Sequence, residues 1–429
     1  MPSGICSSIK DVGGGLLSSR IDGLTDKFPQ VLRSIILKAD VLRHGVCRTS
    51  TLEEVGRWAL PQCHFIFEWD REKHEKGDAE ASRILLPEWF QFSDGTTTCI
   101  MIDSRSPYTV EKVDGKYVLC TDGKPVEELY FQPIPKWYSK KASDGTPLPV
   151  HASQEGADSL CSVIFHHCQY FNNGDQCKFC NFNPTVALTT EIGREFRVGK
   201  NPELVAEAYS EGFRERGFHH VRLSAGSLLD RGKEAETYSR FIMAIKEAIG
   251  KRRDTLYGEI VSQAFDSKDA SEIYDSGIEG VCWNLEQWDP EKFRILCPGK
   301  AKAVGRDRWL QLLIGALDYW GAGKVTTSFV LGPEMVPPHG FKTLGEAYKS
   351  WMEGFEWLIT HDIIPRFNQW SPDVGSLYQE KPVPPTEYYL KVGEGWHELM
   401  KKYGMYPQPT QVCYKCIHKS IWIDFYHLC

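Results

Sequence analysis

Hydrophobic positions change their period several times along this chain. Between residues 24 and 42, Phe28, Val31, Leu32, Ile35, Ile36 and Leu42 fall on one face at helical spacing. A shorter helix is predicted over 51–60, where Thr51 caps and Glu54 stands three residues on, as in a capping box. The stretch 95–132 alternates instead. There Asp114-Gly115 and Asp122-Gly123 are hairpin turns flanked by Tyr117-Val118-Leu119 and Leu129-Tyr130-Phe131. Polar residues 139–149, with Gly and Pro among them, then form a linker or loop.

From about residue 160 to 375, short apolar runs alternate with amphipathic stretches. Strands are predicted at 162–165, 220–224, 256–262, 280–284, 326–331 and 363–367, and helices at 202–216, 235–249, 267–275 and 309–320. Repeated βα units of this kind argue for parallel strands with helices outside, in a TIM-like barrel or a doubly wound sheet. Six units make an incomplete barrel. After Pro384-Pro385 one more helix is predicted, over 388–403. The expected class is α/β: a partial (β/α)6 TIM-like barrel over 151–382, a mixed α+β region over 1–150, and a short cysteine-containing tail over 383–429.

Composition narrows the function classes. Of 429 residues 41% are hydrophobic and 25% charged, which excludes a disordered chain, a collagen-like chain and a disulfide miniprotein. A net charge of −7 gives no basic footprint for nucleic acid. No run of 18 apolar residues crosses a membrane, and the first residues show neither a basic start nor an apolar signal core. The expectation is a cytoplasmic protein. Its many aromatic residues suit an aromatic core, and they suit equally the walls of a pocket for a large planar ligand. Lys251-Arg252-Arg253, at a predicted helix end, is a solvated cationic face.

Fourteen cysteines are too few for a disulfide scaffold in this length, and six of them fall in two clusters. In the first, Cys168 is followed after eight residues by Cys177 and after two more by Cys180, just past the first predicted barrel strand. That is where βα loops build active sites. Asn172-Asn173-Gly174-Asp175 turns the chain back towards the CxxC pair. Three chemistries fit the spacing: a zinc site with His166 or His167 as fourth ligand, a four-iron cluster with one open iron, or a dithiol redox pair of Cys177 and Cys180. The second cluster, Cys413, Cys416 and Cys429 with His418 and His427 nearby, suits an auxiliary iron–sulfur or structural zinc site.

Three cysteines in a first βα loop, Phe179 just before the last of them, and six βα units together resemble the radical S-adenosylmethionine (SAM) enzymes. The common spacing in that superfamily is three residues and then two, so the gap of eight departs from it. The resemblance covers roughly residues 160–370 and implies a [4Fe–4S] cluster on Cys168, Cys177 and Cys180 that cleaves SAM reductively to a 5′-deoxyadenosyl radical. It also implies SAM contacts from Ser224 and Gly226 after the second strand, from Glu259, Ser262 and Gln263 on the third, and from Glu286 after the fourth. Residues 330–334 would pack around the adenine, and Arg306 or Arg308 would pair with the SAM carboxylate. The usual acidic residue beside Gly226 is missing, and no cobalamin-binding motif is present.

The implied partners are a small-molecule substrate and a one-electron donor such as flavodoxin or ferredoxin. Within the superfamily the chain resembles enzymes that act on elaborate natural products, among them the group oxidising a ring methyl of bacteriochlorophyllide. In that case His166 or His167 would be candidate ligands for its magnesium. The competing class is a non-catalytic zinc or iron–sulfur protein that binds metal or transfers electrons.

Overall fold

The computed structural model describes residues 16–56, 86–87, 89–156, 159–191, 198–216, 220–250, 255–405 and 419–426. Three helices open it: α1 (Leu16–Lys27), α2 (Arg33–His44) and α3 (Ser50–Gly56). The single helix predicted over 24–42 is thus two helices. Pro29, lacking an N–H and restricting Phe28 before it, breaks the run although the apolar face continues across the gap. The predicted extension of α3 beyond residue 56 lies outside the described residues.

An antiparallel sheet follows, of strands β1 (Trp89–Phe92), β2 (Thr97–Cys99), β3 (Tyr108–Val113), β4 (Lys116–Thr121) and β5 (Lys124–Tyr130), in the order β2-β1-β5-β4-β3. Both predicted hairpins form. Asp114 and Gly115 have φ of 51° and 80°, and Asp122 and Gly123 have 50° and 73°. Two successive left-handed residues give the turn whose twist matches a hairpin, which is why Asp-Gly stands at both.

The second sheet has seven strands in sequential order: β6 (Ser153–Glu155), β7 (Ser159–Val163), β8 (His220–Ser224), β9 (Leu256–Ser262), β10 (Ile278–Trp283), β11 (Val325–Leu331) and β12 (Ile364–Gln369). β6 is antiparallel to β7, and β7 to β12 are parallel. Helices α4 (Phe182–Glu191) and α5 (Pro202–Arg216) link β7 to β8, α6 (Arg231–Ile249) links β8 to β9, and α7 (Ser267–Ser276) links β9 to β10. Between β10 and β11 lie α8 (Pro290–Leu296), α9 (Pro298–Ala303) and α10 (Arg306–Trp320), and α11 (Leu344–Ile359) precedes β12. Because each parallel strand lies beside the one before it, right-handed crossovers put every helix on the same side. The opposite face is then buried only by curling the sheet around a lumen. This is the partial TIM-like barrel, and the doubly wound alternative is excluded by the strand order.

Several elements were not anticipated, among them α4, α8, α9, β6 and α11. β6 is three residues long, too short for its alternation to show. α11 did carry a signal: Thr343 and Glu346 form a reciprocal capping box at its start.

Helices from the N-terminal and C-terminal regions meet at the β12 edge. α2 packs there with α12 (Thr386–Tyr403) and α13 (Trp422–Tyr426). Gln369 of β12 donates to the Ala39 carbonyl at 2.8 Å. Asp40 accepts from Tyr108 (2.5 Å) and Thr386 (2.6 Å), joining the antiparallel sheet to α12. Lys38 reaches Asp424 at 2.7 Å with side chains 0% and 4% exposed. Burial pushes the Lys38 ammonium below its ordinary value and raises the Asp424 carboxyl to about 6, against the pull of each partner. No helix among the described residues is long and apolar enough to cross a membrane.

An enclosed ion pair of this kind is costly to break by halves. Lys38→Met should lower unfolding free energy by about 3–5 kcal/mol, measured by urea denaturation. Adding Asp424→Leu should recover most of that loss. A double variant no better than the single would show that the pair does not act as a unit.

Candidate functional site

At the C-terminal ends of the parallel strands, a cavity of about 310 Å³ enters the barrel lumen. Its mouth is formed by the loop that follows β7. Cys168 begins a 3-10 turn over Gln169–Asn173, and Gly174 reverses the chain with φ of 71°. Cys177 and Cys180 close a second turn, with the Cys180 N–H on the Cys177 carbonyl at 3.0 Å. Asn183, at the start of α4, brackets the Cys168 peptide, accepting from its N–H at 2.7 Å and donating to its carbonyl at 3.1 Å. Cys168, Cys177 and Cys180 all line the cavity.

Burial raises the Cys168 and Cys180 thiols above their ordinary value, and for Cys180 the neighbouring Cys177 and Cys168 add to the effect. Backbone N–H groups oppose it: Tyr170 and Ser227 donate to the Cys168 sulfur, and Phe182 donates to Cys180 at 3.4 Å. Loading iron on such thiols must release their protons. Among the described residues, no group of three His, Cys, Asp or Glu side chains is gathered as the ligands of one metal ion.

The loop after β8 is laid directly against the cysteine loop. Gly226 donates to the Phe165 carbonyl at 3.1 Å, and Gln169 donates to the Ser227 carbonyl at 2.8 Å. A Cβ on Gly226 would collide with the His167 carbonyl and stand 2.6 Å from the Cys168 nitrogen, so only glycine fits. Behind this junction Glu234, 1% exposed, accepts from the Leu228 N–H at 2.7 Å and from Gln263 at 2.6 Å. Burial raises its carboxyl to about 7.

Ser224, Gly226, Ser262 and Glu286 border the cavity together with the cysteines. Glu286 has φ of 73°, a left-handed conformation that costs a non-glycine residue roughly 1–2 kcal/mol. It is pinned there by backbone bonds to Ser328 (2.9 Å) and Val330 (3.1 Å) and by Lys300, whose ammonium lies 2.7 Å from its carboxylate. Lys300 also borders the cavity. Burial works to lower its ammonium, but Glu286, Cys177 and Cys297 together hold it above its ordinary value.

Several expected site residues lie elsewhere. Arg306 stacks on the Trp288 ring at 4.2 Å and donates to the Trp288 carbonyl at 2.6 Å, so its fork is taken up outside the cavity. Arg308 pairs with Asp266 at 2.7 Å on the surface. Of the stretch 330–334 only Val330 borders the cavity, while Glu334 turns away to Tyr388 and Trp351. His166 is buried and stacked on Phe182 at 5.3 Å, His167 faces Asn183, and neither lines the cavity. Cys413, Cys416 and Cys429, with His418 and His427, lie outside the described residues.

The sequence reading named Glu259, which pairs with Arg366 and does not itself line the cavity, and missed the other charges of the lumen. Arg222 (β8), Arg366 (β12) and Glu155 (β6) line the cavity, and Glu259 (β9) stands just behind it. Arg366 meets Glu259 at 2.7 Å with side chains 6% and 4% exposed, and Arg222 meets Glu155 at 2.7 Å. In β8, β9 and β12 the signal was legible: a lone charge in an otherwise largely apolar strand marks the inward face. Lys300 carried none, since only folding brings it to the cysteines.

Compared with models of known protein families, the chain matches none. Over 284 residues it is 22% identical to the bacteriochlorophyllide c C-7(1)-hydroxylase of Chlorobaculum limnaeum, an alignment covering 62% of this chain and 66% of that enzyme. The chain therefore spans just under two thirds of the curated relative's length. Among solved structures, the FeFe-hydrogenase maturase HydG from Carboxydothermus hydrogenoformans is similar with a TM-score of 0.43 at 16% identity, over 57% of this chain and 52% of that one. The hydroxylase is of the group that the sequence resemblance singled out, and the resemblance to the radical SAM superfamily is borne out.

Two outcomes check this geometry. Gly226→Ala should destabilise the protein by about 1–3 kcal/mol and take up less iron than wild type on anaerobic reconstitution. For Glu234, the folded-state carboxyl lies above its unfolded value, so its ionisation costs stability as pH rises from about 4.5 towards 7. The melting temperature of Glu234→Gln should therefore gain on wild type across that window, and a constant difference would count against the buried, elevated carboxyl.

Proposed function

We propose that this chain is a radical SAM enzyme that abstracts hydrogen from an unactivated C–H bond of a large small-molecule substrate, oxidising a ring methyl of a tetrapyrrole related to bacteriochlorophyllide. The observation that carries this reading is the meeting of three cysteines from the first βα loop with Ser224, Gly226, Ser262 and Glu286 around one cavity at the strands' C-terminal ends. The named relative supports the hydroxylation.

When bound, a reduced [4Fe–4S] cluster and SAM supply the 5′-deoxyadenosyl radical. The residues present fit both groups. Cys168, Cys177 and Cys180 offer three thiolates and leave one iron open. Gly226 brings the β8 loop close enough for its backbone to meet the methionine end of SAM. Lys300, held at the cavity by Glu286, takes the carboxylate-pairing role expected of Arg306. Glu286 and Ser262 offer acceptors for the SAM amino and ribose groups.

Around the cavity, Tyr170, Phe171, Phe179, Phe182, Trp370 and Trp422 supply flat apolar surface for a planar substrate and keep water from the reacting carbon. The Arg222, Arg366 and Glu155 groups on its wall orient the substrate's polar edge. A small electron-transfer protein such as flavodoxin or ferredoxin provides the electron.

The test is anaerobic reconstitution, then dithionite and SAM with and without bacteriochlorophyllide c, assaying 5′-deoxyadenosine. Wild type should form it and Cys180→Ala should not, while Lys300→Met should weaken SAM binding about tenfold or more. A wild-type protein that carries a four-iron cluster yet forms no 5′-deoxyadenosine with the pigment present would overturn this radical reading. Uptake of zinc in place of iron would favour a metal-binding protein.

A further inference from the structure

One guanidinium on the cavity wall has a side in use and a side to spare. Arg366, on β12, is buried and borders the cavity. Its Nη1 stands 2.8 and 2.7 Å from the two Glu259 oxygens. Its Nε is enclosed, and among the described residues neither Nε nor Nη2 meets an acceptor. The Nε–Nη2 edge is a side of the fork whose two parallel N–H groups match a carboxylate. Arginine has five donors and no acceptor, so that edge is satisfied only by a group that accepts. A buried donor left unmet is destabilising, which makes a bound acceptor the expected remedy.

The surrounding charges favour an anion there. Glu259 lies 2.7 Å from Arg366 and 3.8 Å from Arg222, so one carboxylate is divided between two guanidiniums. Glu155 bonds Arg222, at 2.7 Å, which leaves Arg366 the less compensated cation. Arg366 is also the more enclosed, with a side chain 6% exposed against 31% for Arg222, and attraction to a buried charge is screened less. Glu259 grips one corner of the fork and the Trp422 ring lies 5.6 Å from its central carbon, so the spare edge is held in place before a ligand arrives. We propose that Arg366 is a specificity-determining residue that binds a free carboxylate of the substrate through Nε and Nη2. This deepens the proposed function and rests on it. A bacteriochlorophyllide carries such a group on its propionate side chain, and esterification removes the charge.

The experiment uses the full chain, reconstituted anaerobically with iron and sulfide, as wild type, Arg366→Lys and Arg222→Lys. Dissociation constants are measured without reductant for bacteriochlorophyllide c and its methyl ester, from the shift of the pigment band, and for SAM by equilibrium dialysis. Lysine keeps the charge that Glu259 needs but has no second donor edge. Wild type should bind the acid about tenfold or more tightly than the ester. In Arg366→Lys the acid should bind about tenfold more weakly, with ester and SAM binding near wild type. Arg222→Lys should keep the wild-type preference. Arg366→Gln combined with Glu259→Gln leaves neither partner of that pair charged. It should lose the preference alike, and it replaces Arg366→Lys if that variant fails to fold.

Equal binding of acid and ester by wild type would overturn the inference and leave the tetrapyrrole reading standing. So would a preference that survives in Arg366→Lys, or one lost in Arg222→Lys instead. A fall in SAM affinity in Arg366→Lys with the acid preference intact would assign the edge to the SAM carboxylate and overturn the inference too. A wild-type protein that binds neither pigment overturns the substrate reading itself, and the inference with it, before any variant is compared.

Discussion

Three thiols that share one cavity repel one another once they ionise, and they hold a cofactor only if the backbone fixes them against that repulsion. Here the fixing is done by main-chain contacts that join the loop after β7 to the loop after β8. Ile164 donates to Ser224 (2.9 Å), Gly226 to Phe165 (3.1 Å) and Gln169 to Ser227 (2.8 Å). These bonds continue the β7–β8 ladder past the ends of both strands, so the cysteine loop inherits the stiffness of the sheet. The absent side chain at Gly226 is what permits the approach. Glu234 and Gln263 then tie the far side of the second loop to α6 and β9, and the hydroxyl of Tyr170, within the cysteine loop, reaches Gln263 at 3.2 Å. Displacing any one of these groups would shift the sulfurs and the loop after β8 together.

The lumen imposes a second constraint. Arg222, Glu155, Arg366 and Glu259 lie almost out of contact with water, and a buried ion network is poor value as a stabiliser because desolvation consumes most of its attraction. Apolar residues of similar volume would fill a barrel of this width at least as stably. What the charges provide is polar surface in a cavity that is otherwise lined by aromatic side chains and thiols. The Arg366 guanidinium is also 5.6 Å from the Trp422 ring, which couples this polar surface to the C-terminal segment.

Much of the barrel was legible because each strand had apolar residues bounded by turn residues and each long helix had one apolar face. β8, β9 and α5 match their predicted spans, and both Asp-Gly hairpins form. The break at Pro29 was visible in the sequence but was outweighed by an apolar face that runs through it. The candidate site divides in a similar way. Ser224, Gly226, Ser262 and Glu286 follow strand ends in order, so topology alone carries them to one rim. Arg306 fails because it begins a helix, α10, whose first turn faces Trp288 rather than the lumen. Lys300 and Cys297 lie more than a hundred residues from the cysteine loop, and no local period encodes their approach; clamping of the segment after α8 against Tyr170 and Asp175 does so.

A sheet of sequential parallel strands with helices on one side cannot close by itself when it has only six of them, and its last edge, β12, must be covered by something else. In this chain α2, α12 and α13 cover it, meeting through Asp40 and through the Lys38–Asp424 pair. The same segments contribute to the cavity: Trp422 of α13 and Lys419 just before it form part of its wall, with Lys419 paired to Asp373 at 3.3 Å. Closure of the barrel and completion of the cavity are therefore one event. An arrangement of this kind lets the cavity be shaped for a particular substrate by the segments outside the barrel while the strands that hold the thiols stay unchanged. It also explains why an α+β region precedes the barrel: its helix α2 supplies the surface on which the C-terminal segment docks, and its sheet holds α2 through Tyr108.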